Sequence, residues 1–199
     1  KAGKTGSNTT FYTMTINDHD QFTGLNAVHV AASEGNVKRL VELMDDGAEL
    51  DVPALGENAG KTAAMIAAGA GHVDVLKAMQ RGPSMLDLKA ADGGTPAMSA
   101  AVHGYKEVLD YLISKNVDLN AQDEDGWTAL HFAVMANAAS SVKALLAAGV
   151  RTDIKNSDGD TAEGLAQGSK AGIKKLFGKG GSSKRLDGVK EGKKGCVVM

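Results

Sequence analysis

The side chains best placed to do chemistry stand at the end of this sequence. Its single cysteine, Cys196, is followed by Val197, Val198 and Met199. A cysteine, two aliphatic residues and a closing methionine form the pattern that is alkylated on sulfur by a farnesyl group. Lys190, Lys193 and Lys194 stand just upstream. One prenyl chain, at about 0.8 kcal/mol per buried CH₂, binds a membrane reversibly, and each Lys or Arg near an anionic leaflet adds ~1 kcal/mol. Asp187 and Glu191 offset part of that charge. The expectation is lipidation at Cys196 and a peripheral position on the cytosolic face of a membrane. The alternative is an unlipidated tail on a soluble subunit of a larger assembly.

Other constellations have simpler explanations. Gly56-Glu-Asn-Ala-Gly60-Lys61-Thr62 resembles a phosphate-binding loop, but it is one residue short between the glycines and no strand precedes it. Asp123-Glu-Asp125-Gly126 and Asn156-Ser-Asp158-Gly159-Asp160 look like pieces of calcium loops, yet neither has the closing acidic residue six positions after its glycine. Asp, Asn and Gly are also the ordinary formers of turns. The five histidines, His19, His29, His72, His103 and His131, fall in no metal-binding spacing, and no serine or cysteine sits in a nucleophile elbow. The sequence therefore proposes no catalytic residue, cofactor, metal or small-molecule substrate. Asn8-Thr9-Thr10 fits a glycosylation acceptor, but the N-terminal stretch has no apolar segment like that of a secretory signal.

The elements that carry these residues follow from composition and period. Aromatic content is 4 %, alanine and glycine are abundant, and no run of some 18 apolar residues exists. From Lys170 onward nine Lys/Arg face two Asp/Glu, a net of +7, which leaves 13 basic and 22 acidic residues before it, a net of −9. The acidic body argues against a nucleic-acid groove, and the basic tail suits a negatively charged surface. One pattern then repeats. Asn26, Thr62, Thr95, Thr128 and Thr161 follow one another at 36, 33, 33 and 33 residues. Each has a glycine two positions before it and an alanine five after it: Ala31, Ala67, Ala100, Ala133 and Ala166. Asn and Thr cap helix N-termini, and Pro96 fits the first helical position. Gly35, Gly71, Gly104 and Asn137, nine positions on, are C-terminal stops; Lys170 takes that place in the fifth unit. A second helix follows in the first four units, over 37–44, 73–79, 105–113 and 141–146, and a shortened one over 173–177 in the fifth. The second helix ends at Gly47, Asn116 and Gly149 in three of them.

These residues resemble the ankyrin repeat, most fully in Gly93-Gly-Thr-Pro-Ala-Met-Ser-Ala-Ala, Gly126-Trp-Thr-Ala-Leu-His-Phe-Ala and Asn116-Val-Asp-Leu-Asn-Ala-Gln-Asp. The resemblance implies an all-α solenoid of about five stacked helix-turn-helix units with short β-turn fingers, near 24–59, 60–92, 93–125, 126–158 and 159–177. Residues 1–23 read as an N-terminal extension and cap, with Met14 a guess at a natural start, and 178–199 as a flexible basic tail. The fifth unit, with lysines at 170, 174 and 175, reads as a polar terminal cap. The first junction is three residues longer, so the loop at 53–59 should bulge.

The resemblance also implies a non-enzymatic adaptor that binds another protein through its concave face. Its variable positions here include Lys61 and Trp127 at finger tips and Glu34, Val102, His103 and Met135 on first helices, and these are the candidate partner-binding residues. Trp127, with Phe132 and Met135, is expected to form an apolar contact patch on the fourth unit, because Trp is enriched among interface hot spots. His29 and His131, three residues after their caps, are read as structural.

Overall fold

The computed structural model describes residues 17–80, 83–168 and 171–178 of the 199. They form five antiparallel helix pairs: α1 Ala27–Ser33 with α2 Val37–Asp45, α3 Ala63–Ala70 with α4 Val73–Ala78, and α5 Pro96–His103 with α6 Lys106–Ser114. The last two are α7 Ala129–Met135 with α8 Ala139–Ala147, and α9 Ala162–Gly168 with α10 Ala171–Phe177. Odd-numbered helices pack on one another as an inner row, and even-numbered helices form an outer row behind them. Among the described residues there is no strand, only an isolated antiparallel bridge between Lys155 and Thr161. This is the helical solenoid the sequence leads one to expect.

Helices this short hold no stable shape alone, so their ends matter. Asn26, Thr62, Thr95 and Thr128 each accept the amide of the residue three positions on, and Thr161 Oγ1 accepts Gly164 N–H at 3.1 Å. The stops are equally regular. Gly35, Gly71, Gly104 and Asn137 turn the chain between the helices of a pair at φ from 54° to 83°. Asn116, at φ 56°, and Gly149, at 76°, do the same after α6 and α8. The left-handed region costs glycine nothing and asparagine little.

The pairs meet through small side chains. Ala31, Ala67, Ala100, Ala133 and Ala166 are all 1 % exposed or less, which lets successive inner helices approach closely. The outer row contributes two stripes, Leu40, Leu76, Leu109 and Val142, then Leu43, Met79, Leu112 and Leu145, all buried. Burial of one such side chain stabilises by roughly 1.5–3 kcal/mol.

Hairpin fingers link the pairs. Ala90, Asp123 and Asn156 each donate a backbone amide to the carbonyl four residues on. In the second finger Ala54 N–H reaches Lys61, seven residues on. The three extra residues are taken up there in a 3₁₀ turn over Gly56–Asn58. Neighbouring fingers touch backbone to backbone: a Cβ on Gly93 would sit 2.9 Å from Asp123 Cα, and one on Gly126 3.0 Å from Asn156 Cα. Behind the fingers, Asn17, Asp87 and Asn120 each accept an amide from the following unit, at Glu49, Asp118 and Arg151. His19 adds a bond to the Pro53 carbonyl at 3.0 Å, tying residues 17–20 onto the first unit.

Four buried polar atoms among the described residues lack a hydrogen-bond partner, those of Asn26, His29, Ser141 and Asn156, and two of them bear on stability. Ser141 occupies the position held by Val75 and Val108 in preceding units, is fully buried, and its hydroxyl has no partner. Removing an unsatisfied buried hydroxyl recovers its desolvation cost. Ser141→Val is therefore expected to stabilise the fold by roughly 1 kcal/mol in urea denaturation, seen as a higher midpoint at unchanged slope.

His29 is also fully buried. Its Nδ1 accepts the Asn26 amide at 3.2 Å, while Nε2 has no hydrogen-bond partner. Burial first, and the neighbouring His19 second, push its pKa down to about 4. The unfolded chain therefore binds the extra proton first, at an ordinary histidine pKa near 6.5. Stability contributed by neutral His29 is present above that pH and falls as pH drops towards 4, by on the order of 3 kcal/mol. Urea titrations between pH 7 and pH 4 should show this loss, and His29→Gln should flatten it.

Candidate functional site

The fingers and inner helices make one continuous face, and a groove of about 180 Å³ runs across its second, third and fourth units. The α3 and α5 N-termini supply Met65 and Met98 to its floor, and the C-terminal half of α5 supplies Val102 and His103. Phe132, on the second turn of α7, closes the far end. Lys61, Asp92 and Asp123 reach it from three fingers. Met65 and Met98 sit three residues after their caps, the place taken by His29 and His131 in the first and fourth units.

The candidate residues divide. Lys61, Val102 and His103 line the groove together. Lys61 is exposed and its Nζ donates to Asn58 Oδ1 at 3.4 Å, so the stretch that resembles a phosphate loop forms a finger turn. His103 Nδ1 lies 2.9 Å from the Ser99 carbonyl, and its ring stacks on Tyr105 with centroids 6.0 Å apart. Glu34 is exposed at the C-cap of α1, and neither it nor Met135 lines the groove. Met135, 61 % exposed, projects from the end of α7 three residues beyond Phe132.

Trp127 departs from the expectation of an exposed tip. It is half-buried, its amide donates to Asp123 Oδ1 at 2.7 Å, and its ring packs 5.4 Å from Phe132 and 5.8 Å from His131. The finger turns back over the start of α7 and lays the indole on that helix, so Trp127 extends the groove through Phe132. Cys196 and the tail that carries it lie outside the described residues.

The acidic turns have structural work. Asp123 Oδ1 accepts the amides of both Asp125 and Trp127, and Asn156 Oδ1 accepts that of Asp160. His131 Nδ1 accepts Thr128 N–H, and Nε2 lies 3.2 Å from the Asp160 carbonyl of the next finger. Burial lowers its pKa, against which that carbonyl and the charges of Asp123 and Asp160 act. Among the described residues, no three His, Cys, Asp or Glu side chains converge as metal ligands, and no helix is long and apolar enough to cross a membrane. Phe132 was expected in an apolar patch with Trp127, whereas the floor residues Met65 and Met98 were not among the sequence candidates. Their signal was the repeat position after the cap, which reads as core until the neighbouring unit is in place.

Comparison with known proteins agrees with this architecture. The description of ankyrin repeats in three copies matches residues 4–87, 82–158 and 98–184. The chain is 31 % identical over 145 residues to neurogenic locus notch homolog protein 1 of Xenopus tropicalis, a match covering 72 % of this chain and 6 % of that protein. Human notch homolog protein 1 is 28 % identical over the same length, again covering 72 % of this chain and 6 % of that protein. A putative palmitoyltransferase ZDHHC13 of Danio rerio is 33 % identical over 142 residues, covering 70 % of this chain and 22 % of that protein. The chain thus spans under a quarter of the length of these relatives. With its capped helix pairs, alanine interfaces and stacked fingers, the chain belongs to the ankyrin repeat family.

Proposed function

We propose that this protein is a non-enzymatic adaptor that captures another protein in the groove across its second to fourth repeats. The observation that supports this most is the apolar floor of Met65, Met98, Val102 and Phe132, continued by Trp127 and edged by charge. Ankyrin repeats serve as protein-interaction scaffolds, and such solenoids present an extended concave surface for binding. Lys61, His103 and Val102 edge or line the groove, and Met135 and Glu34 flank it on neighbouring helix ends.

The second element of the proposal is a membrane anchor. Where Met199 ends the chain in the cell, Cys196-Val-Val-Met meets the requirements for farnesylation. The upstream lysines add the electrostatic component that one prenyl chain needs for lasting attachment to a cytosolic leaflet. Without lipid, the same groove would serve a soluble subunit of a larger assembly.

Affinity capture from eukaryotic cytosol with wild type, Trp127→Ala and Cys196→Ser side by side tests the first element. Trp127→Ala should weaken the captured partner by about 30-fold, equivalent to ~2 kcal/mol, with Cys196→Ser unaffected. A thermal melt of each variant separates lost binding from lost folding. Equal capture by wild type and Trp127→Ala would count against the groove. The intact mass of full-length protein from a eukaryotic host tests the second. Gain of a farnesyl group with loss of Val197–Met199 is expected, and an unmodified C-terminus refutes the anchor.

A further inference from the structure

Acidic side chains cluster on the fingers of this surface. Among the described residues, ion pairs join Lys38 and Arg39 to Glu42, Lys77 to Asp74, Lys106 to Asp110 and Arg151 to Asp153. All of these lie on outer helices or in the loop after α8. The fingers of the third to fifth repeats carry Asp92, Asp123, Glu124, Asp125, Asp158 and Asp160 with no lysine or arginine in 90–94, 123–127 or 156–160. None of the six is in an ion pair among the described residues. Backbone bonds from Glu124 to Asp92 at 2.9 Å and from Ser157 to Asp125 at 2.8 Å hold these fingers side by side. Like charges held this close repel, and a cationic segment laid along them relieves that repulsion. Asp92 and Asp123 also edge the groove floored by Met98, Val102 and Phe132. The groove with its rim therefore suits an extended segment that is cationic and carries a few apolar side chains.

The chain contains such a segment. Residues 179–195 hold six Lys/Arg against Asp187 and Glu191, with Leu186 and Val189 flanked by Arg185 and Lys190. They follow Gly178, directly after α10 of the fifth repeat. Packed helices lie about 8–10 Å apart, so stepping back two repeats takes roughly 20 Å. Seventeen residues span up to about 60 Å when extended, enough to cross the helix pair as well. Tethering raises the local concentration of the segment to around the millimolar range. We infer that residues 179–195 dock on the groove and acidic fingers of their own chain, so that any partner must displace them. The inference rests on the reading of the groove as a docking face.

Zero-length carbodiimide crosslinking of the full chain tests it, performed on an equimolar mixture of ¹⁴N- and ¹⁵N-labelled protein. Lys184, Lys190, Lys193 and Lys194 should join the acids of fingers three to five several-fold more often than they join Glu42, Asp74 or Glu107. The joined pairs should carry one isotope, and the preference should collapse in 1 M NaCl, where screening acts within about 3 Å. Even distribution over all exposed acids overturns the inference, and so do mixed-isotope pairs, which would place the tail on a second copy. Trp127, the only tryptophan, gives a second readout beside the groove. Replacing Lys184, Arg185, Lys190, Lys193 and Lys194 together by serine should raise its acrylamide quenching about twofold, and unchanged quenching contradicts docking. If the crosslinks fail while Trp127→Ala still loses its captured partner, this inference falls alone. If the crosslinks form while Trp127→Ala captures as well as wild type, the tail occupies the groove and the partner-binding reading falls.

Discussion

No repeat of this chain can bury its own apolar side. Its helices run six to nine residues, too short to persist in water by themselves. The fully buried alanines and the leucine stripes find cover only when the next helix pair arrives in register. Mutual burial between successive units is thus the interaction on which the rest depends, as expected of a quasi-one-dimensional stack. The caps, the left-handed stops and the finger bonds are devices that set the register in which that burial occurs. The groove is a consequence of it, because its floor comes from three different units.

What was legible in the sequence was what local physics determines. A cap such as Thr95 bonds an amide three residues away, and Asn116 turns a chain that has just left a helix. Such signals need no knowledge of distant residues. The three extra residues of the first junction were also readable, and they lengthen the second finger. Other features depended on neighbours that sequence spacing does not supply. Trp127 was expected at an exposed tip, but its position is decided by the Phe132 ring and by the Asp123 carboxylate that folds the finger back. Met65 and Met98 line the groove while staying almost wholly buried, which depends on the repeat that stands beside each of them.

The two capping histidines show how one motif acquires two characters. His29 and His131 make the same contact with the amide of their cap residue. His131 also reaches the Asp160 carbonyl of the next finger, where the hairpin is short. His29 Nε2 closes no hydrogen bond of normal geometry, although the Val52 and Lys61 backbone lies near enough to oppose the fall in its pKa. Burial lowers the pKa of both rings, and in the first repeat the neighbouring His19 acts in the same direction.

Cooperation between repeats is most directly measured by native-state hydrogen exchange resolved to single amides. If mutual burial carries the fold, amides of α3, α5 and α7 should exchange with one common, highest opening free energy, and protection should fall towards α10. Opening free energies that differ among α3, α5 and α7, with each helix pair exchanging independently of its neighbours, would contradict the account.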